Sequence, residues 1–232
     1  MLNGQIRKIS EISSQEVHQM FLLMNEFYEH MQEQVFLNDF YDKDYCLTLE
    51  HETDGLVGFT TQKLLDVVVN GEVVHGMFSG DTIIHKQYWG SFELFRVWAQ
   101  FWFEYAQKYP AFYWFLICKG YKTYRIMPLF WEQYYPCYKE ETPEYEQEIM
   151  DAYATLLFSE EYNKATGVIE YHKIKDRLKE GVADITQSQL KNKEISYFCE
   201  KNPNHAGGND LVCLAKIDKS LLKKRLLGAL FE

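Results

Sequence analysis

Two glycine turns gather the residues of this 232-residue chain that are able to do chemistry. Gly80-Asp81 interrupts Glu72–His85, an extended stretch that also contains Gly76. Glycine inside a strand marks a bulge or a close backbone approach. A carboxylate buried beside such a bulge acquires a raised pKa and can act as a base; a capped or solvated turn aspartate is the other reading. The second turn, Lys119-Gly120, opens Tyr121-Lys122-Thr123-Tyr124-Arg125. It collects three cations in a chain of formal charge −10. Lys119 and Lys122 as point charges and Arg125 as a fork suit a phosphate or carboxylate, against the plainer reading of a solvated helix start. Cys118 precedes this turn, with no histidine obviously placed to activate it. His75 and His85 flank Asp81, but a strand advancing ~3.3 Å per residue holds them ~33 Å apart, so they cannot share an ion. No metal site is expected. His205, Asn209 and Asp210 surround a Gly-Gly loop and read as structural.

Hairpin signals set the elements that hold these residues. Asp54-Gly55 and Asn70-Gly71 tolerate positive φ and should join three strands, Tyr45–Glu52, Leu56–Val69 and Glu72–His85, into a meander. After Gly90, the residues Leu94, Phe95, Trp98, Phe101, Trp102 and Tyr105 cover most of a helix that must lie on a sheet. Phe112–Cys118 is a continuous apolar run. It suits a buried central strand, parallel to Glu72–His85 because a helix intervenes. Upstream, a short strand over Gln5–Ser10 precedes a helix capped by Ser13 or Ser14 and running to about Met31, then a loop over Gln32–Asp44. Downstream, a helix from Tyr121 to about Gln133 is kinked or restarted by Pro128, and Tyr134–Tyr138 is extended. An acidic helix from Glu144 to about Lys164, a charged helix around Tyr171–Lys179, strands at Glu194–Cys199 and Asp210–Ile217, and a helix over Ser220–Phe231 complete the expectation. The organisation is a domain over residues 1–139 and an extension over 140–232 that could cover a substrate side or mediate a homodimer.

Composition narrows the function classes. Hydrophobic residues at 47% and aromatics at 16% suffice for a core. The acidic balance, without a basic stripe, excludes a nucleic-acid scaffold. There is no apolar run of signal-peptide type, and none reaching the ~18 residues of a membrane span. Five cysteines, odd in number and without a C-x-x-C pair, point to reduced thiols and a cytoplasmic location.

The element order over about residues 4–138 resembles the fold of the GCN5-related N-acetyltransferases (GNAT). In that family the fourth strand and following turn read roughly V-x-P-x-x-R/Q-G-x-G-x-G/A, and backbone amides there hold the pyrophosphate of acetyl-coenzyme A, as helix N-termini favour anions. The matching stretch is Ile84-His85-Lys86-Gln87-Tyr88-Trp89-Gly90-Ser91-Phe92-Glu93-Leu94. Gly90 alone of the three glycines is present, Trp89 stands where Arg or Gln is usual, and Phe92 and Leu94 replace small residues. The resemblance implies an α/β (mixed α+β) fold: a GNAT-like central mixed sheet with an antiparallel meander, flanking helices and a C-terminal α+β extension. It also implies an acyltransferase that moves an acyl group from acetyl-CoA or another acyl-CoA to the amine of a small-molecule acceptor. Asp81 would be the base, and Tyr124 the acid toward the thiolate, although counting back from Tyr135-Pro136 puts Phe130 or Trp131 at that position. Ile83, Ile84, His85, Trp89, Gly90 and Ser91 would form the cofactor wall, with Lys119, Lys122 and Arg125 as anion contacts. The alternative is a non-catalytic module of the same fold, with Phe92 and its aromatic neighbours filling the cleft. An open wedge between the strands ending near His85 and Cys118 favours a ligand; a filled one favours the module.

Overall fold

In the computed structural model, which describes residues 1–173 and 175–231, the meander forms at the expected turns. β1 (Leu2–Lys8), α1 (Ser14–Phe27), β2 (Tyr28–Glu29) and α2 (Glu33–Tyr41) precede β3 (Tyr45–His51), β4 (Gly55–Val69) and β5 (Glu72–Ile84). Gly55 has φ +70°, and Asn70 and Gly71 have +51° and +83°, the backbone that a tight hairpin of right-twisted strands demands. α3 (Glu93–Tyr105) and β6 (Phe112–Cys118) follow. β6 alternates between two cores: Phe112, Trp114, Leu116 and Cys118 meet α3, while Tyr113 and Phe115 face the other side. Burial on both faces explains its unbroken apolar run. β6 runs parallel to β5, as the intervening helix predicts.

The helix start at Ser13 is a reciprocal cap: the Glu16 N–H donates to Ser13 Oγ (3.3 Å) and the Ser13 N–H to Glu16 Oε2 (2.9 Å). α1 ends at Phe27, short of Met31, because Tyr28–Glu29 turns extended to form β2 and His30 takes φ +63°. The expected loop over Gln32–Asp44 is largely α2, where Phe36 and Phe40, one helical turn apart, both enter the core. Between Tyr121 and Gln133 the chain makes two short helices, α4 (Tyr121–Tyr124) and α5 (Ile126–Phe130), broken at Arg125. Pro128 lies in the first turn of α5, where its missing N–H is harmless.

Beyond residue 140 come α6 (Glu144–Phe158), β7 (Tyr162–Asn163), β8 (Val168–Ile169), β9 (Arg177–Leu178), α7 (Lys193–Lys201), β10 (Asp210–Lys216) and α8 (Lys224–Phe231). β10 pairs antiparallel with β6, so the sheet runs β1-β3-β4-β5-β6-β10-β8-β7. α6 covers one face, α3 and α8 the other. Two expectations here are corrected. Glu194–Cys199 is not a strand but the body of α7, capped by the Asn192 side chain, with Ile195 and Phe198 buried three residues apart. Tyr171–Lys179 is not a helix: one member, Ile174, lies outside the described residues, and the rest is irregular chain plus β9, which pairs with β2. Lys179 donates to the carbonyls of Asn25 (2.7 Å) and Glu26 (3.2 Å), tying this strap to the end of α1. No helix among the described residues is long and apolar enough to cross a membrane.

Candidate functional site

The site begins as a fault in the sheet. β4 and β5 pair as Thr60↔Thr82 and then Gln62↔Ser79, so Gly80 and Asp81 together oppose Thr61. This is the bulge that a glycine within a strand foretells. Only glycine fits at position 80, since a Cβ there would lie 2.7 Å from Thr61 Oγ1 and 2.8 Å from Lys43 Cε. On its other edge β5 pairs with β6 from His75↔Phe112 to Ser79↔Leu116 and no further. Past the bulge the two parallel strands part, and a cavity of about 240 Å³ occupies the wedge.

The cavity has two unlike walls. On the α1–α2 side stand Tyr28, Phe78, Asp81, Tyr171, Asp176 and Asp210; on the α3 side stand Leu94, Trp98, Phe103, Phe130, Trp131 and Leu230. Asp81 is partly buried and makes no hydrogen bond or ion pair among the described residues. Burial first, and then the negative charge of Asp39, push its pKa up to about 7, against the pull of Lys43. Lys43 is itself held by Asp39, with Nζ donating to Oδ1 (2.7 Å) and to the backbone carbonyl (2.9 Å). Asp81 therefore exchanges a proton near neutrality, the range in which a general base works best. Burial also raises the pKa of the Tyr28 phenol, assisted by Asp81, Asp176 and Asp210.

Of the residues singled out from the sequence, Asp81 and Lys119 line this cavity, as do Phe130 and Trp131, which the count back from Tyr135-Pro136 reached, and Asp210. Lys119, expected as an anion contact, is already occupied: Nζ donates to Asp210 Oδ2 (3.1 Å) and the Gly208 carbonyl (3.0 Å) and lies 3.6 Å from Asp176. Burial lowers its pKa, but those two carboxylates outweigh burial and leave it raised. Tyr124 is fully buried outside the cavity wall, and its hydroxyl donates to the Pro136 carbonyl at 3.0 Å. Lys122 donates to the Val182 carbonyl (2.5 Å) and sits 3.7 Å from the Trp89 ring centre. Arg125 is exposed.

The stretch expected as cofactor wall lies outside the cavity lining. Ile83 packs into the α1–α2 core. The Ile84 carbonyl accepts the Trp89 indole N–H at 2.7 Å. His85 Nδ1 accepts the Gln87 N–H (3.3 Å), and its Nε2 lies 3.4 Å from Glu26. Gly90 takes φ +95°, and Ser91 Oγ accepts the Glu93 N–H (3.2 Å) at the start of α3. Glu93, a repulsive charge for an anion there, is bound by Arg96 at 2.8 Å. Phe92 is 43% exposed and leans on Phe130 instead of filling the wedge.

No family model and no curated protein matches the chain. Several solved structures are similar to it. An Enterococcus faecalis protein described as a probable N-acyltransferase shares 15% identity over 57% of this chain, with a TM-score of 0.42; the match spans only 33% of that protein's length. Arabidopsis thaliana NAA60, solved with acetyl-CoA, shares 10% identity over 57% of this chain and 89% of its own, with a TM-score of 0.40. The GNAT family N-acetyltransferase YhbS of Escherichia coli, solved with CoA, shares 14% identity over 51% of this chain and 64% of its own, with a TM-score of 0.37. The chain has a GNAT-like fold: an antiparallel meander, a parallel β5–β6 pair and a wedge between them.

Proposed function

We propose that the chain is a GNAT-like acyltransferase that moves an acyl group from an acyl-CoA-type thioester to the amine of a small cationic molecule. The observation that carries this reading is the open wedge with a carboxylate, Asp81, on one wall that has no partner among the described residues. The donor enters on the α3 side. Its phosphates meet the N-terminus of α3, where the Ser91 and Glu93 N–H groups are taken by Tyr88 and Ser91 but those of Leu94 and Phe95 have no acceptor among the described residues and favour anions. Glu93 is neutralised there by Arg96, and Lys122 stands against the same loop through Trp89. The acceptor enters on the α1–α2 side, where the lining carboxylates Asp39, Asp81, Asp176 and Asp210 outnumber the lining cations Lys119 and Lys175, a balance that favours a cation. Asp81 takes a proton from the ammonium, and the free amine attacks the thioester carbonyl. The C–N bond forms, the C–S bond breaks, and the thiolate leaves with the donor. Tyr28 stays protonated throughout and offers a hydrogen-bond donor in the same cavity.

The lone glycine of the loop and the neutralised Lys119 favour the second reading, a binding module without chemistry. Thermal unfolding with acetyl-CoA and free CoA, followed by an amine screen, separates them. A ligand at 100 times its Kd stabilises a fold by about 2.7 kcal/mol, several degrees at this size. A saturable shift, weakened by Lys122→Glu with Arg125→Glu, and acylation of an amine are expected. A shift without acylation of any amine favours the module. No shift at millimolar concentration overturns the acyltransferase reading for these donors and leaves the module.

A further inference from the structure

The geometry points to a donor acyl group much longer than acetyl; this rests on the acyltransferase reading above. The cavity does not stop at the wedge. On the α3 side it continues between α3, α5 and the C-terminal segment, walled by Leu94, Trp98, Phe103, Trp131, Leu222 and Leu230. The charged side chains that line the cavity, Asp39, Asp81, Lys119, Lys175, Asp176 and Asp210, belong to the opposite face of the sheet. Two of the three tryptophans that line the cavity have their indole donors engaged elsewhere. Trp114 Nε1–H donates to Ser79 Oγ (2.8 Å) and Trp131 Nε1–H to the Lys216 carbonyl (3.0 Å). What these rings present to the chamber is apolar surface.

Protein interiors pack densely and leave few voids, so a chamber kept open among tryptophans, phenylalanines and leucines calls for an occupant. Ala99, buried on α3 and lining the cavity, is the small residue that holds it open. A space walled by apolar side chains takes an apolar guest. A thioester carbonyl in the wedge would have an acceptor amine on its acidic side and this chamber on the other. The chain running into the chamber is then the acyl tail of the donor.

The test is a binding series on the full chain with free CoA, acetyl-CoA and octanoyl-CoA, read by melting temperature and tryptophan fluorescence. Octanoyl-CoA should bind roughly tenfold or more tighter than acetyl-CoA, because each added methylene leaves water. An octanoyl-CoA carrying bromine on its terminal carbon should quench the fluorescence of Trp98, Trp114 and Trp131, while free CoA should not. Ala99→Phe should erase the chain-length preference. If that variant does not fold, the quenching experiment on the native chain decides. Equal binding of acetyl-CoA and octanoyl-CoA, or octanoyl binding without quenching, overturns the inference and leaves an acetyl-sized transferase. Failure of every CoA compound to bind overturns the acyltransferase reading itself.

Discussion

Asp81→Asn should make the protein more stable above neutral pH while abolishing its chemistry. Folding raises the Asp81 pKa from 3.8 to about 7. Each unit corresponds to 1.36 kcal/mol, so the ionised folded form carries a cost of up to roughly 4 kcal/mol. Between about pH 4 and 7 the folded chain holds a proton that the unfolded chain has released. Stability therefore falls as pH rises through that window, and the full cost persists above it. Water reaches the carboxylate from the cavity, and halving for that gives about 2 kcal/mol, or about 4–8 °C in a chain of this length. Asparagine matches the shape without the charge. Urea or thermal unfolding of both proteins at pH 5 and pH 8 reads the effect. A gap in favour of Asp81→Asn at pH 8 that shrinks at pH 5 is expected. A variant no more stable than the parent at pH 8, or a gap that ignores pH, refutes the burial of an unpaired carboxylate. In an acylation assay the parent should rise with pH to a plateau above about 7, and the variant should lose about 10²-fold or more.

Gly80→Ala should destabilise by about 1–3 kcal/mol, since its Cβ meets Thr61 and Lys43 at under 3 Å; denaturant titration checks it, and unchanged stability would mean the bulge relaxes freely. Tyr124→Phe should cost about 1 kcal/mol through the unpaired Pro136 carbonyl and leave turnover per folded molecule unchanged, whereas Tyr28→Phe should lower turnover. Equal losses in the two would return Tyr124 to the chemistry. Lys119→Met should destabilise by about 3 kcal/mol at neutral pH, because it leaves Asp210 buried and unpaired. The deficit should shrink at low pH as Asp210 protonates, and Lys119→Met with Asp210→Asn should recover most of it.

The parts of the fold legible in the sequence are those with local causes. Asn70-Gly71 reports its own turn, FYWFLIC its own two-sided burial, and Gly80 the bulge that exposes Asp81. Phe36–Phe40 and Ile195–Phe198 carried a helical signal too, but each sits in a nine-residue helix with one buried pair, too short to outweigh a loop or strand reading. The strap over residues 171–185 had no local pattern to find. It reaches the site through β2–β9 pairing and through Lys179 on the carbonyls of Asn25 and Glu26, contacts more than 140 residues apart in sequence. Tyr28 and Asp176 come to the cavity by that crossing. Their roles are set by tertiary structure, whereas that of Asp81 is set by the residue before it.

The crossing also brings residues beyond 140 to the cavity, so that they do not merely decorate the sheet. The wedge is created by β5 and β6, yet the acidic wall is completed by Tyr171, Asp176 and Asp210, and the apolar wall by Leu222 and Leu230. Lys119 is the joint between the two parts. It leaves the end of β6 and is clasped by Asp176 of the strap and Asp210 of β10. An anion-binding lysine at that position would draw a donor's phosphates onto the acceptor face. Neutralised by two carboxylates, it would on the proposed reading leave that face to a cation and the N-terminus of α3 with Lys122 to phosphate. On the proposed acyltransferase reading, this polarity across the sheet would bring donor and acceptor together at the break between Ser79 and Asp81.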